Sequence, residues 1–258
     1  MRRPHFAATA RRTTSTALGE ERLLDLATGA DRVPATFLLP RGAHAAPAVL
    51  LLHGFSSSKE RMVQSVGRAL QQRGVASLAL DLPFHGERDG GRDAIPYRNP
   101  LALVAAWTAA VREARAAIDW LGAQTEVDAG RIGAIGYSLG GFLTLMTASE
   151  EPRVRAVTLA AAGDLPDTTP YAALVRRAVD PLRAVRKLDG RPLLLVNGRR
   201  DTTTRPAQAE RLFAYATEPK ELRWYDGGHW PPPSAIDAAA AWMAQELAVV
   251  RDEHCALR

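Results

Sequence analysis

The sequence predicts an α/β fold, a mostly parallel sheet with helices on both faces, from three observations. The short all-apolar run 48–52 (AVLLL) has the composition of a strand buried on both faces, and 193–197 (LLLVN) reads as another strand. Stretches with helical spacing separate such runs, most clearly in the Ala-rich segment 100–122, where Val104, Trp107, Val111, Ala114, Ile118 and Leu121 recur on one face. Near the start, 21–28 and 33–39 flank a Gly29-Ala30-Asp31 turn and read as an antiparallel hairpin. A hairpin followed by strand–helix repeats is the order of an α/β sheet.

The elements follow in order. After the hairpin and strand 48–52 come a helix near 58–73 and a strand at 75–80, then a polar loop at 82–98. Helix 100–122 leads to strand 131–136, helix 139–149 and strand 154–161. Residues 165–190 are irregular to helical and too short for a large cap domain, so they are expected to form a minimal lid. Strand 193–197, helix 205–217, strand 221–225 and helix 234–250 complete the pattern. Residues 20–250 therefore read as a single domain, between a flexible basic tail at 1–19 and a C-terminal tail at 251–258.

Composition bounds the function. With 258 residues and 47% hydrophobic, the chain has too much apolar residue to stay disordered. Cys255 is the single cysteine, so no disulfide framework forms, and no apolar run is long enough for a membrane span. The formal charge of +5 suggests an anionic polymer as partner. Residues 1–19, however, carry Arg2, Arg3, Arg11 and Arg12 and no acid; the remainder holds 29 basic against 28 acidic residues. That near-neutral body argues against nucleic acid. The tail lacks the apolar stretch of a secretory signal, which, with the absence of disulfides, fits a cytoplasmic setting.

The sharpest motif is Gly136-Tyr137-Ser138-Leu139-Gly140, between a predicted strand and a predicted helix. At this Gly and Ser content about 0.05 chance matches to G-x-S-x-G are expected. A serine on a sharp strand-to-helix turn projects its hydroxyl above the sheet edge, and side chains two residues before and after would collide there. Such a serine needs a base, and the base needs an orienting acid. His229, in the turn Asp226-Gly227-Gly228-His229-Trp230-Pro231, follows a strand and is the candidate base; His254 lies in the terminal tail. Two strand-end acids are candidates, Asp201 and Asp164; Asp201 is favoured because the span to His229 fits one helix and one strand, which brings the two loops together. Asp167, Asp180 and Asp189 read as turn or cap residues. Two N–H donors for a developing oxyanion are expected from Leu139 and from Phe55, which follows Gly54 in the loop after strand 48–52. Ser56–Ser58 read as an N-cap of helix 58–73.

With these residues in place, the chain resembles the α/β-hydrolase superfamily across roughly 20–250. The resemblance rests on HGF (53–55), DLPFHGER (81–88), GYSLGG (136–141), NGRRDTTTRP (197–206) and GGHW (228–230). HGFSSSKE and DLPFHGER are similar to the dienelactone-hydrolase-like, small-carboxylesterase branch. The resemblance implies an eight-stranded sheet with its second strand antiparallel, and hydrolysis through an acyl-serine. Dienelactone hydrolases proper use a cysteine nucleophile where this chain has Ser138, which makes an ordinary carboxylic ester the expected substrate.

Phe84, His85, Tyr137 and Trp230 are the expected substrate-pocket residues, while Glu87, Arg88, Asp89, Arg92 and Asp93 read as a solvated charged loop. No metal-ligand spacing links His53, His85 and His229, and the Gly-rich turn lacks P-loop and dinucleotide patterns, so neither metal nor cofactor is expected. The expected activity is cleavage of a small-molecule ester. The same residues would serve a peptidase, amidase, thioesterase or acyltransferase, and a non-catalytic anionic-polymer binder on this fold is the reading from another class.

Overall fold

The computed structural model describes residues 5–28, 31–88, 91–96, 99–165, 176 and 179–249. One nine-stranded sheet runs in the order β1-β2-β3-β5-β4-β6-β7-β8-β9. The strands are β1 (Ala7–Thr16), β2 (Gly19–Thr28), β3 (Asp31–Pro40), β4 (Ala46–Leu52), β5 (Ala76–Leu80), β6 (Val127–Tyr137), β7 (Val154–Ala160), β8 (Leu193–Gly198) and β9 (Lys220–Tyr225). From β5 to β9 each neighbouring pair is parallel, whereas β1–β2, β2–β3 and β3–β5 are antiparallel.

The expected hairpin is β2–β3. Two expectations are corrected. The sheet has nine strands rather than eight, and the extra one, β1, lies in the segment expected to be a flexible tail. All ten residues of β1 are exposed, so neither face imposes the apolar alternation by which a strand is recognised. Its threonines favour extended backbone, and Gly19 makes the turn into β2 possible. Gly19 has φ +136, and a Cβ there would lie 2.1 Å from the Leu39 carbonyl oxygen.

Seven α-helical segments flank the sheet among the described residues. They are α1 (Lys59–Met62), α2 (Arg68–Gln71), α3 (Pro100–Gly122), α4 (Leu139–Glu150), α5 (Pro181–Arg186), α6 (Pro206–Tyr215) and α7 (Pro233–Ala248). A π-helical turn, Val63–Gly67, joins α1 to α2. One apolar cluster packs α3, α4 and α6 on one face of the sheet; the other packs α1, α2 and α7 on the opposite face. Asn99 caps α3 by accepting from the Ala102 N–H, and Asp180 caps α5 as expected, accepting from Leu182 and Arg183 N–H. Ser58 occupies the N-cap position of α1, but its hydroxyl makes no capping bond; the Lys59 N–H donates instead to Asp81 of the loop after β5. Residues 166–175, 177 and 178 of the expected lid, Asp89, His254 and Cys255 lie outside the described residues, as does the C-terminal tail, and Asp167 falls within the first of these stretches. No helix among the described residues is long and apolar enough to cross a membrane.

Candidate active site

Parallel strands bring their carboxyl ends to one edge of the sheet, and loops that follow them meet there. Ser138 follows β6 at φ 51, ψ −115, a strained backbone for a residue with a side chain, and serves as the N-cap of α4. The turn is enforced by contacts on both sides. A Cβ on Gly136 would come 2.2 Å from the Gly140 carbonyl oxygen, and one on Gly140 would come 2.0 Å from that of Leu52. β6 must therefore approach α4, and α4 must approach β4, more closely than any side chain allows.

Asp201 and His229 converge because their loops are stitched together. The Arg200 N–H donates to the Gly227 carbonyl and the Arg199 N–H to that of Tyr225. Gly198 permits this approach, since its Cβ would lie 2.1 Å from the Gly228 oxygen. Asp201 Oδ1 accepts from the Thr203 and Thr204 N–H groups, leaving Oδ2 to accept from His229 Nδ1 at 2.8 Å. With its proton on Nδ1, the imidazole offers Nε2 as acceptor for the Ser138 hydroxyl at 2.9 Å. The hydroxyls of Tyr225 and Tyr137 both donate to the His229 carbonyl, at 3.1 and 3.4 Å, and fix the backbone that carries the imidazole. Burial raises the ionisation of both phenols well above the ordinary tyrosine range, so both stay donors. Sequence reading missed this brace.

Asp164 is buried but engaged elsewhere. It accepts two hydrogen bonds from Arg176, each at 2.9 Å, and a third contact from Arg211 at 3.2 Å.

Phe55 and Leu139 line a common cavity, and Leu139, the residue after Ser138, is the first of α4. The Phe55 loop is shaped by His53, which donates from Nδ1 to the Gly54 carbonyl and accepts at Nε2 from the Leu82 N–H. Burial holds His53 down at a pKa of about 4, against the opposing pull of its Gly54 bond, so it is a neutral strut.

The four expected pocket residues separate. Phe84 and His85 line an apolar cavity of about 200 Å³ with Phe55, Trp107, Leu139 and Leu143. Tyr137 and Trp230 do not join them. They stack on each other at 4.8 Å and line a second cavity on the opposite face of the sheet. The cause is the two-residue alternation of a strand: Tyr137 points away from the face on which Ser138 opens α4.

Glu87 and Arg88, expected in solvent, are structural. Arg88 makes a two-pronged pair with Glu113, and Glu87 accepts from Arg11, Arg32 and Lys59. Among the described residues Glu60, Asp81 and Glu87 come together as metal ligands would. The cation there is the fully buried Lys59 ammonium, 2.5, 2.9 and 2.6 Å from the three carboxylates. Burial works against its charge, but the bonds to Glu60, Glu87 and Asp81 outweigh burial and raise its pKa.

Comparison with known proteins agrees with this architecture. The chain is 33% identical over 121 residues to a polyketide transferase of Stachybotrys chlorohalonatus, covering 47% of this chain and 37% of that one. It is 28% identical over 197 residues to an uncharacterised protein of Mycobacterium tuberculosis, covering 74% and 65%. It is 36% identical over 110 residues to the carboxymethylenebutenolidase of Rhodococcus opacus, covering 42% and 41%. The chain thus spans about a third to two thirds of the length of these relatives. Among solved structures, an acetyl xylan esterase from Paenibacillus sp. R4 superposes with a TM-score of 0.76 at 18% identity, covering 94% of this chain and 89% of that one. A cold-adapted esterase from an Arctic intertidal metagenomic library gives 0.72 at 21%, covering 92% and 97%. At such identities these structures speak for the fold. The model of the alpha/beta hydrolase family matches residues 49–251, and the chain belongs to that family.

Proposed function

We propose that the chain is a serine esterase that hydrolyses small carboxylic esters through an acyl-serine intermediate. The observation that carries this is the continuous hydrogen-bond chain from the Ser138 hydroxyl through His229 to Asp201. As the ester carbonyl is attacked, the Ser138 proton passes to His229 Nε2, and Asp201 stabilises the imidazolium that forms. The oxygen that gains negative charge is held by the N–H groups of Leu139, at the positive end of α4, and of Phe55. His229 returns the proton to the departing alcohol and then takes one from the water that clears the acyl group.

The cavity beside Phe55 and Leu139 suits a short or aryl acyl chain, being apolar and about the size of one ring with a short substituent. Ester chemistry is favoured over the alternatives by the carboxymethylenebutenolidase relative and by the esterases that share the fold. Small esters are the proposed partners, with no role for nucleic acid, metal or cofactor.

The test is turnover of matched 4-nitrophenyl esters, 4-nitroanilides and thioesters. Ester cleavage should dominate and fall by at least about 10⁴-fold in Ser138→Ala, with loss of fluorophosphonate labelling. Clear anilide cleavage without ester cleavage would replace the esterase reading by an amidase, and labelling that persists in Ser138→Ala would remove Ser138 from its role.

A further inference from the structure

The second cavity, behind Tyr137, is also about 200 Å³ and lies on the far side of the sheet from the proposed acyl site. Its floor is Ile135, Thr158 and Val196 of the central strands, its wall is α7, and its mouth lies between Arg61 and Trp230. Three features are unexplained by packing. Thr158 is fully buried in an otherwise apolar floor, and its Oγ1 has no hydrogen-bond partner. Valine would fill the same volume without that cost, since a buried hydroxyl left unmatched is destabilising. Ser57 Oγ, also buried against this cavity, has no partner either. At the mouth the Arg61 guanidinium stands 5.0 Å from the Trp230 ring centroid and pairs with no carboxylate among the described residues. Among the described residues no acidic one lines the cavity.

We infer that this cavity is a binding site for a small aryl carboxylic acid bearing a polar substituent at the far end of its ring. The ring fits the volume, because a cavity of roughly 150 Å³ already holds benzene. The carboxylate meets Arg61 at the mouth, where the guanidinium matches it in shape and charge. The ring packs against Tyr137, and the distal hydroxyl supplies Thr158 Oγ1 with its missing partner. The site is separate from the Ser138 hydroxyl and does not require turnover there.

The probe is 4-hydroxyphenylacetate, titrated calorimetrically into the full-length Ser138→Ala protein, so that neither hydrolysis nor its absence affects the reading. Binding is expected in the range of roughly 0.1 to 1 mM. Phenylacetate, lacking the hydroxyl, and 2-(4-hydroxyphenyl)ethanol, lacking the carboxylate, should each bind at least about fivefold more weakly. Thr158→Val should bring the probe to the level of phenylacetate, and Arg61→Gln to that of the alcohol. Ala235→Leu, at a half-buried wall position, should abolish binding while ester turnover in the otherwise unaltered chain is retained. No heat up to about 10 mM, or binding that Thr158→Val, Arg61→Gln and Ala235→Leu leave unchanged, overturns the inference. Binding lost on Leu103→Trp, in the other cavity, but kept in Ala235→Leu also overturns it, by moving the ligand to the acyl side. If Thr158→Val folds poorly, Thr158→Ser keeps the hydroxyl and should keep most of the affinity.

Discussion

Asp164 and Asp201 follow adjacent strands, and both are almost fully buried. What separates them is the company each keeps. Asp164 is neutralised by Arg176 and Arg211, whereas Asp201 meets backbone N–H groups on one oxygen and His229 on the other. Asp201→Asn should lower kcat by about 10⁴-fold, because an amide nitrogen facing Nδ1 stabilises the wrong imidazole tautomer. Asp164→Asn should lower stability, read by urea denaturation, with little change in kcat. A larger loss of turnover from Asp164→Asn would reverse the assignment. Both glycines of the serine turn were legible from the need for close approach. Tyr137 and Trp230 were not, because adjacency to Ser138 or His229 in sequence does not reveal which face of the sheet a side chain takes.

The element that sequence patterns concealed most completely is β1. Helical and strand periodicities register only when one face is buried, and this strand buries neither. Its attachment beyond the ladder to β2 is ionic: Arg11 pairs with Glu87, which in turn accepts from Lys59, which also holds Asp81. DLPFHGER was readable as a family motif, yet its electrostatic logic was not, since Lys59 and Arg11 come from distant segments. Gly86 is part of the same design, because a Cβ there would come 2.1 Å from the Asp81 carboxylate. Lys59→Met should destabilise the protein by about 3 kcal/mol in chemical denaturation, since Asp81 would remain buried without its cation. A loss below about 1 kcal/mol would show that the N–H groups of Lys59 and Glu87 alone suffice for Asp81.

For the whole molecule, the alternation of strands and helices made the α/β architecture readable, G-x-S-x-G marked the candidate serine site, and the hairpin announced the antiparallel start. The charge balance was the least specific clue. Many arginines are engaged in ion pairs, including Arg22–Glu126, Arg73–Asp237 and Arg223–Glu221. Two groups stand out among those that weaken the fold in acid. His53, held at about 4 mainly by burial, is neutral when folded but charges near pH 6.5 when unfolded. Its contribution is therefore intact above pH 6.5 and is lost as pH falls towards 4, on the order of 3 kcal/mol in total. Glu87, held at about 2 chiefly by its Arg11 bond, adds a smaller loss between pH 4.5 and 2, smaller because its side chain is 40% exposed. Urea midpoints measured from pH 7 to 4 should fall, and His53→Gln, which can still donate and accept, should flatten that decline. An unchanged slope in the variant would assign the acid sensitivity to other groups.

The exposed border of β1 has a last consequence, for how molecules of this protein meet one another. A ten-residue strand open along one side is a template for a neighbour's strand, the route by which sheets grow into aggregates. Here the register slips between Ala10 and Arg12, and Arg11 and Arg12 stand at that irregularity. A kinked border is a poor template for a neighbour's strand, and Arg11, its charge met by Asp25 and Glu87, ties that border to the sheet and the loop after β5.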